Sequence, residues 1–206
     1  MADAIHGLIG PSPVVVANFG VEIQTMQASA SREKIIYSNR MHEPLYRIDE
    51  IITQSTPFLL ANPTWKLRIA ASGSETERLK QLAKQHLPET SVEFVGFQSA
   101  PENRANYLSS TIYVSIPNTD GTSISLLEAM AYGCLPIVSD LPANREWIEH
   151  GVNGLISTGN LSEDLTNALK MNSQSMQEVN TKIIEEKATK KANKQKFEAI
   201  YDRIFA

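Results

Sequence analysis

Residues 117–133, PNTDGTSISLLEAMAYG, hold the densest set of groups that could do chemistry. A run of β-type residues ends at Ile116, a polar loop with Gly121 follows, and a helical pattern starts near Thr122 or Ser123. The first N–H groups of a helix have no intrahelical carbonyl and, with the macrodipole, form an anion site. Gly121 would let the backbone approach a ligand closely. Asp120 stands on the loop, and Glu128 follows after seven residues, inside the helix. At about 100° per residue, Ile124, Leu126, Leu127, Met130 and Ala131 form the apolar side, and Glu128 falls on its border. An ionised carboxylate there needs hydrogen-bond donors, and sugar or ribose hydroxyls would serve. The pattern equally fits a plain loop acid beside a glycine and a half-exposed helix glutamate.

A second cluster is SNRMHEPLYR, residues 38–47. Arg40 and Arg47 flank a loop, and two guanidinium groups can grip a phosphate or diphosphate through forked hydrogen bonds. Surface pairing with Glu43 or Asp49 is the competing expectation, and His42 reads as a surface histidine before a catalytic base. A third cluster, Ala70–Glu75 (AASGSE), again runs from strand through small residues to helix, so Gly73 would let backbone approach a ligand. It lacks the Gly-x-Gly-x-x-Gly dinucleotide fingerprint. Gly-x-Ser-x-Gly, His-Glu-x-x-His and Gly-x-x-x-x-Gly-Lys are also absent from the sequence. Trp65, Trp147 and Cys134 read as packing residues, Gly133 as a helix stop, and His86 and His150 as helix-end groups.

The elements that must position these groups alternate. Residues 34–39, 66–71, 92–97, 111–116, 135–140 and 154–157 read as strands. Most are nearly continuous apolar runs, which suits strands covered on both faces of a parallel sheet. Residues 14–17 could add a strand, and 21–33 read as a loop. Helical stretches are expected over 45–61, 74–87, 101–108, 122–132, 143–149 and 162–171. Residues 174–204 read as one long helix or two, with a lysine-rich part that suits a solvated face, an anionic membrane surface or a partner domain. The fold class is therefore α/β: a Rossmann-like doubly wound parallel sheet of about six strands with helices on both faces. In such sheets ligands bind at the carboxyl ends of the strands, where all three clusters fall.

Composition narrows the setting. The chain has 206 residues, 42% hydrophobic and 20% charged, enough for a real core. A single cysteine excludes an intrachain disulfide and a Cys-cluster zinc site, and a net charge of −4 argues against general nucleic-acid binding. No apolar run approaches a membrane span, and no secretory leader is expected from Met1 onward.

In order, the clusters resemble the C-terminal, donor-binding half of GT-B retaining glycosyltransferases of the large family 4. The segment Asp120 to Glu128, then Ala-Met-Ala, Gly133 and Pro-Ile-Val, is similar to the family's acid, seven residues, glutamate pattern. Glu146 to Ile156 (EWIEHGVNGLI) resembles its segment ending in Asn-Gly-Leu, and Val95-Gly-Phe97 its Leu-Gly-Phe element. Ala71-Ser-Gly73 resembles a Gly-x-Gly turn, and residues 14–22 (VVVANFGVE) the interdomain linker. The likeness runs from about residue 13 to 172.

The resemblance implies that Glu128 holds the ribose hydroxyls of a nucleotide and Asp120 those of the donor sugar. Gly121, Thr122, Ser123 and Ile124 would face the sugar and diphosphate, and Arg40 would bind the diphosphate. The stretch 95–98, with Gly96 and Phe97, would lie against the base, and Gly73 would also bind the nucleotide-sugar. The family's acid is usually Glu rather than Asp120, and its diphosphate lysine falls near Tyr46, with Arg47 as the candidate replacement. The implied activity is retaining transfer of a hexose-like sugar from a nucleotide diphosphate-sugar, such as a UDP- or GDP-sugar. The acceptor would be a hydroxyl, in a bacterial polysaccharide or glycoconjugate pathway. A non-catalytic GT-B-like interaction domain, or an epimerase or phosphorylase relative, is the alternative. No metal and no further cofactor are expected. Residues 1–33 would be the linker, 34–172 the nucleotide-sugar domain, and 173–206 a helical segment packing back on a missing N-terminal acceptor domain. Self-association of this half, a cytoplasmic location and peripheral contact with the inner face of the membrane complete the expectations.

Overall fold

Each apolar run becomes a strand in the computed structural model, which describes Gly20, Val21 and residues 32–205. The strands are β1 (Glu33–Ser38), β2 (Lys66–Ala70), β3 (Val92–Gly96), β4 (Ser110–Ser115), β5 (Leu135–Val138) and β6 (Leu155–Ile156). All neighbours pair in parallel, in the order β3-β2-β1-β4-β5-β6. Connections from β1 lead outward through β2 to β3, and connections from β4 lead the other way to β6. The β1/β4 boundary is thus the topological switch point, where open α/β sheets offer a crevice at their carboxyl ends.

Between the strands lie α1 (Ile48–Ala61), α2 (Thr76–His86), α3 (Ala100–Ser109), α4 (Ile124–Ala131), α5 (Pro142–Arg145) and α6 (Leu161–Ala168). The chain continues through α7 (Ser173–Lys187) and α8 (Lys190–Phe205). Alternation along the strands divides the core. Ile36, Leu67, Ile69, Ile112 and Ile137 pack against α1, α2 and α6, for example on Ile51, Leu79 and Leu165. Ile35, Tyr37 and Tyr113 face the other way, onto Tyr107 of α3 and Ala129 of α4. Val138 and Ile156 continue that side against Leu126 and Leu127 of α4 and Ile184 of α7. Helices therefore cover both faces of the sheet, as the apolar runs require.

Two expectations are refined. The helix expected over 143–149 stops after Arg145. The Asn153 side chain accepts the Glu149 N–H (2.7 Å) and donates to the Trp147 carbonyl (2.8 Å), competing with further helix. The C-terminal stretch is two helices, broken where Val21 N–H donates to Ala188 O (2.6 Å) and Lys190 N–H donates to Val21 O (3.1 Å). The strand considered at 14–17 and most of the 21–33 loop lie outside the described residues. Among the described residues no helix is long and apolar enough to cross a membrane.

Arg32, just before β1, ties together the elements that frame the crevice. Its guanidinium donates to Tyr107 O (3.0 Å) near the end of α3, to Ser110 O (2.5 Å) at the start of β4, and to Tyr132 O beyond α4. Three carbonyls lose a charged donor in Arg32→Ala, so the variant should be destabilised by about 3 kcal/mol. Urea unfolding checks this, and a change within about 0.5 kcal/mol would contradict the role given to Arg32.

Candidate functional site

The crevice is built from the turns after β1 and β4. Arg40 lies two residues beyond β1. Its Nη2 donates to Asp120 Oδ2 (2.7 Å) and its Nη1 to Ser123 Oγ (2.5 Å). The guanidinium lies over the Tyr46 ring, 4.5 Å from its centroid, a cation–π contact. Ser123 is the N-cap of α4, its Oγ accepting the Leu126 N–H (3.4 Å). One hydroxyl therefore both caps the helix and holds the arginine. Asp120 Oδ1 accepts the Gly121 N–H (2.9 Å), folding the loop tightly against the helix start. A Cβ on Gly121 would meet nothing within 4 Å, so the space before this loop is open. Thr122 completes the loop. A cation, a capped helix N-terminus and an acid thus converge on one point of the rim.

Glu128 lies one turn further along α4, at the border of its buried side and half-buried. Ile124 departs from expectation: at 46% exposure it lines the rim instead of joining the core. The helix turns Leu126, Leu127 and Met130 inward, which leaves Ile124 and Glu128 together on a cavity of about 340 Å³ beside Asn103, Tyr107 and Lys190. The Tyr107 hydroxyl reaches Glu128 Oε2 at 3.2 Å. Burial pushes the Glu128 carboxyl above its ordinary range, against the opposing hydrogen bond from Tyr107.

The other proposed site residues separate. Arg47 does not join Arg40 as a second phosphate grip. It adopts a left-handed conformation (φ 53°) at the start of α1, and its guanidinium holds both oxygens of Glu50, with Nε at 2.5 Å from Oε1. It lines a different cavity, with Asn118, Ser139 and Asp140. Neither surface partner considered for these arginines takes them: Asp49 pairs with Arg78, and Glu43 binds Ser74. Tyr46 serves as the platform under Arg40.

Gly73 is required by packing, because a Cβ there would sit 2.5 Å from the His42 carbonyl oxygen. The close approach seen here is between two loops of the chain. His42 is buried at 1% exposure, which corrects its reading as a surface residue. Its Nε2 faces the Ala70 carbonyl (3.1 Å), so that nitrogen carries the hydrogen and Nδ1 faces Thr76 Oγ1 (2.9 Å). Burial holds its imidazole below the ordinary range. At the end of β3, Gly96 has φ 69° and Phe97 is 82% exposed, an unburied ring at the rim.

A polar cluster beneath Glu128 leaves no spacing pattern in the sequence. Asn39 donates to Tyr107 Oη (2.8 Å) and to Asn103 Oδ1 (3.0 Å). Tyr113 Oη donates to Asn39 Oδ1 (3.2 Å), and Tyr37 Oη to Asn103 Oδ1 (2.5 Å). The available signal was a tyrosine inside each of two apolar strands, since a buried phenol needs a hydrogen-bond partner. Among the described residues, no group of three His, Cys, Asp or Glu side chains could hold a metal ion.

Comparison with known proteins decides the family. The model for glycosyl transferases group 1 matches residues 22–190. The chain belongs to the glycosyl transferases group 1. An uncharacterized glycosyltransferase of Haemophilus influenzae is 37% identical to this group 1 chain over 111 residues, 53% of this chain and 31% of that protein. The lipopolysaccharide 1,6-galactosyltransferase of Salmonella typhimurium is 30% identical over 110 residues, 51% of this chain and 30% of that protein. A crystal structure of a TarM mutant from S. aureus, in complex with Fondaparinux, alpha-GlcNAc-glycerol and UDP, matches with a TM-score of 0.81. It is 20% identical, over 96% of this chain and 41% of that one, a likeness of fold. The chain spans under a third of the length of these two curated relatives.

The raised carboxyl gives this group 1 domain a stability signature. Between its unfolded and folded pKa values the folded chain keeps a proton the unfolded chain has lost, so stability falls as pH rises through that window. Glu128→Gln should therefore melt higher than wild type at pH about 7.5, and the gain should vanish below about pH 4, under the unfolded carboxyl value. Melting curves across that range check it, and a pH-independent difference would contradict the assignment.

Proposed function

We propose that this chain is the nucleotide-sugar-binding half of a retaining, family 4 glycosyltransferase. The observation that carries the reading is Arg40 bonded at once to Asp120 and to the N-cap Ser123, at the switch point, with Glu128 on the same helix. In this reading Arg40 and the first amides of α4 bind the donor's diphosphate and stabilise the charge that develops as it leaves. Asp120 holds hydroxyls of the donor sugar and Glu128 those of the ribose. The exposed Phe97 ring would lie against the base. Attack by the acceptor hydroxyl on the same face as the leaving group, with the departing phosphate taking the proton, would give retention without an enzymic nucleophile. Arg40 and the helix supply the positive potential, so donor binding is expected to survive chelation.

The acceptor would come from a separate N-terminal domain, with residues 1–33 as the linker to it and 173–206 as helices returning toward it. The UDP in the TarM structure and the galactosyltransferase named among the relatives support a nucleoside diphosphate-hexose donor and a glycoconjugate product.

Titration calorimetry with UDP, GDP and their sugars tests this reading. Wild type should bind one nucleotide, and Glu128→Ala should lose about ten-fold or more, the scale of a charge-assisted hydrogen bond. Asp120→Asn should cost the nucleotide-sugar a similar factor yet leave the bare diphosphate unchanged or tighter, because it frees Arg40 from its ion pair. Equal losses for both ligands would show that Asp120 does not touch the sugar. No nucleotide binding at millimolar concentration, in this chain and in the longer enzyme, would favour a non-catalytic interaction domain.

A further inference from the structure

The polar cluster under Glu128 has more structure than packing requires. Tyr107 is fully buried, with its ring held edge-on to Tyr37 (5.3 Å between centroids) and Tyr113 (5.8 Å) and stacked on Tyr132 (6.0 Å). Its hydroxyl accepts from Asn39 Nδ2. The single phenolic hydrogen then has two acceptors at equal distance, Ser125 O and Glu128 Oε2, both 3.2 Å away. An ionised carboxylate is the stronger acceptor, so the hydrogen points to Glu128 when that group is charged. When Glu128 is protonated its own O–H can donate to the phenol oxygen, and the phenolic hydrogen can turn to Ser125 O.

Asn39 cannot be reversed without cost. Its two N–H groups are used by Tyr107 and Asn103 and its oxygen receives Tyr113, so a flipped amide would set oxygen against oxygen at Asn103. Asn39 also directly precedes Arg40. One turn of backbone therefore carries both the cation at the diphosphate position and the clamp on the phenol.

We propose that Tyr107, clamped by Asn39, is the positioning residue of the donor site: its hydroxyl aims the Glu128 carboxylate at the ribose. The proposal rests on the donor-site reading given above. Other groups around the carboxylate are Arg104 and Asn103 from α3, Tyr113 from β4, Lys190 from α8 and Tyr132 beyond the end of α4. Burial raises the Tyr107 phenol well above its usual value and the Tyr113 phenol to about 12, so both stay neutral donors across the pH range in which a carboxyl titrates. With burial driving the Glu128 carboxyl upward and Tyr107 drawing it down, removing the hydroxyl leaves the upward push unopposed.

Tyr107→Phe keeps the ring and its three aromatic neighbours and deletes only the hydroxyl. Carbon-13 NMR of labelled glutamate carboxyls, in the ligand-free chain, should show the Glu128 midpoint moving to higher pH. Calorimetry with UDP and GDP should show about a ten-fold loss at neutral pH, one charge-assisted hydrogen bond, with the acid limb of binding displaced upward. Asn39→Ala, which leaves the phenol but removes its clamp, should move both readouts the same way by less. A purely structural role would lower the melting temperature without moving the midpoint. An unchanged Glu128 midpoint in both variants overturns the assignment of Tyr107. A shifted midpoint in a chain that takes up neither UDP nor GDP overturns the donor-site reading instead.

Discussion

β1 and β4 are hydrogen-bonded neighbours, yet the chain leaves them toward opposite edges of the sheet. Neither outgoing connection crosses the gap between their carboxyl ends, so the loops that follow must satisfy their own polar groups there. Arg40 from one loop and Asp120 with Ser123 from the other do this for each other. The ion pair closes the gap with groups whose bonding can be handed to a ligand: the guanidinium to an anion, the carboxylate to hydroxyls. The rest of the site follows from how α4 is launched. Ser123 caps it, Leu126 and Leu127 turn its apolar side into the core, and Glu128 is left on the border between core and crevice.

That border position is costly. A carboxylate in a partly desolvated place with a phenol for its partner is less stable than the same group in water. Beneath it the chain keeps Asn39, Asn103 and three tyrosines in a hydrogen-bonded cluster, where aliphatic packing alone would have been simpler. Such a network has value if its task is orientation, since a fully satisfied polar cluster admits few alternative arrangements. Arg32 fastens α3 and α4, the two helices that carry Tyr107 and Glu128, to the start of β4, through the end of α3 and the residue after α4.

The sheet was legible because its signal is local: six apolar runs separated by helical stretches leave little choice of architecture, and all six become strands. The convergence of Arg40, Asp120 and Ser123 was legible through the sheet rule and the family pattern together. What escaped was set by tertiary contacts. Arg47 stands as close to Arg40 in sequence as a second phosphate ligand should, but a left-handed turn and Glu50 take it elsewhere. Ile124 fits the helical period of a core residue, yet the first turn of α4 projects past the edge of the core. His42 and Gly73 looked like separate loop features, and their mutual contact appears only once two loops fold against each other. The Asn39–Tyr107–Glu128 chain spans residues far apart in sequence, and no spacing rule finds it.

A crystal structure of the chain with UDP or GDP bound tests the central claim most directly. The diphosphate is expected against Arg40 and the backbone of residues 121–124, with the ribose hydroxyls on Glu128 and Tyr107 still touching that carboxylate. A nucleotide seated at the amino ends of the strands, or in the cavity beside Arg47 and Asp140 with Glu128 untouched, would contradict it.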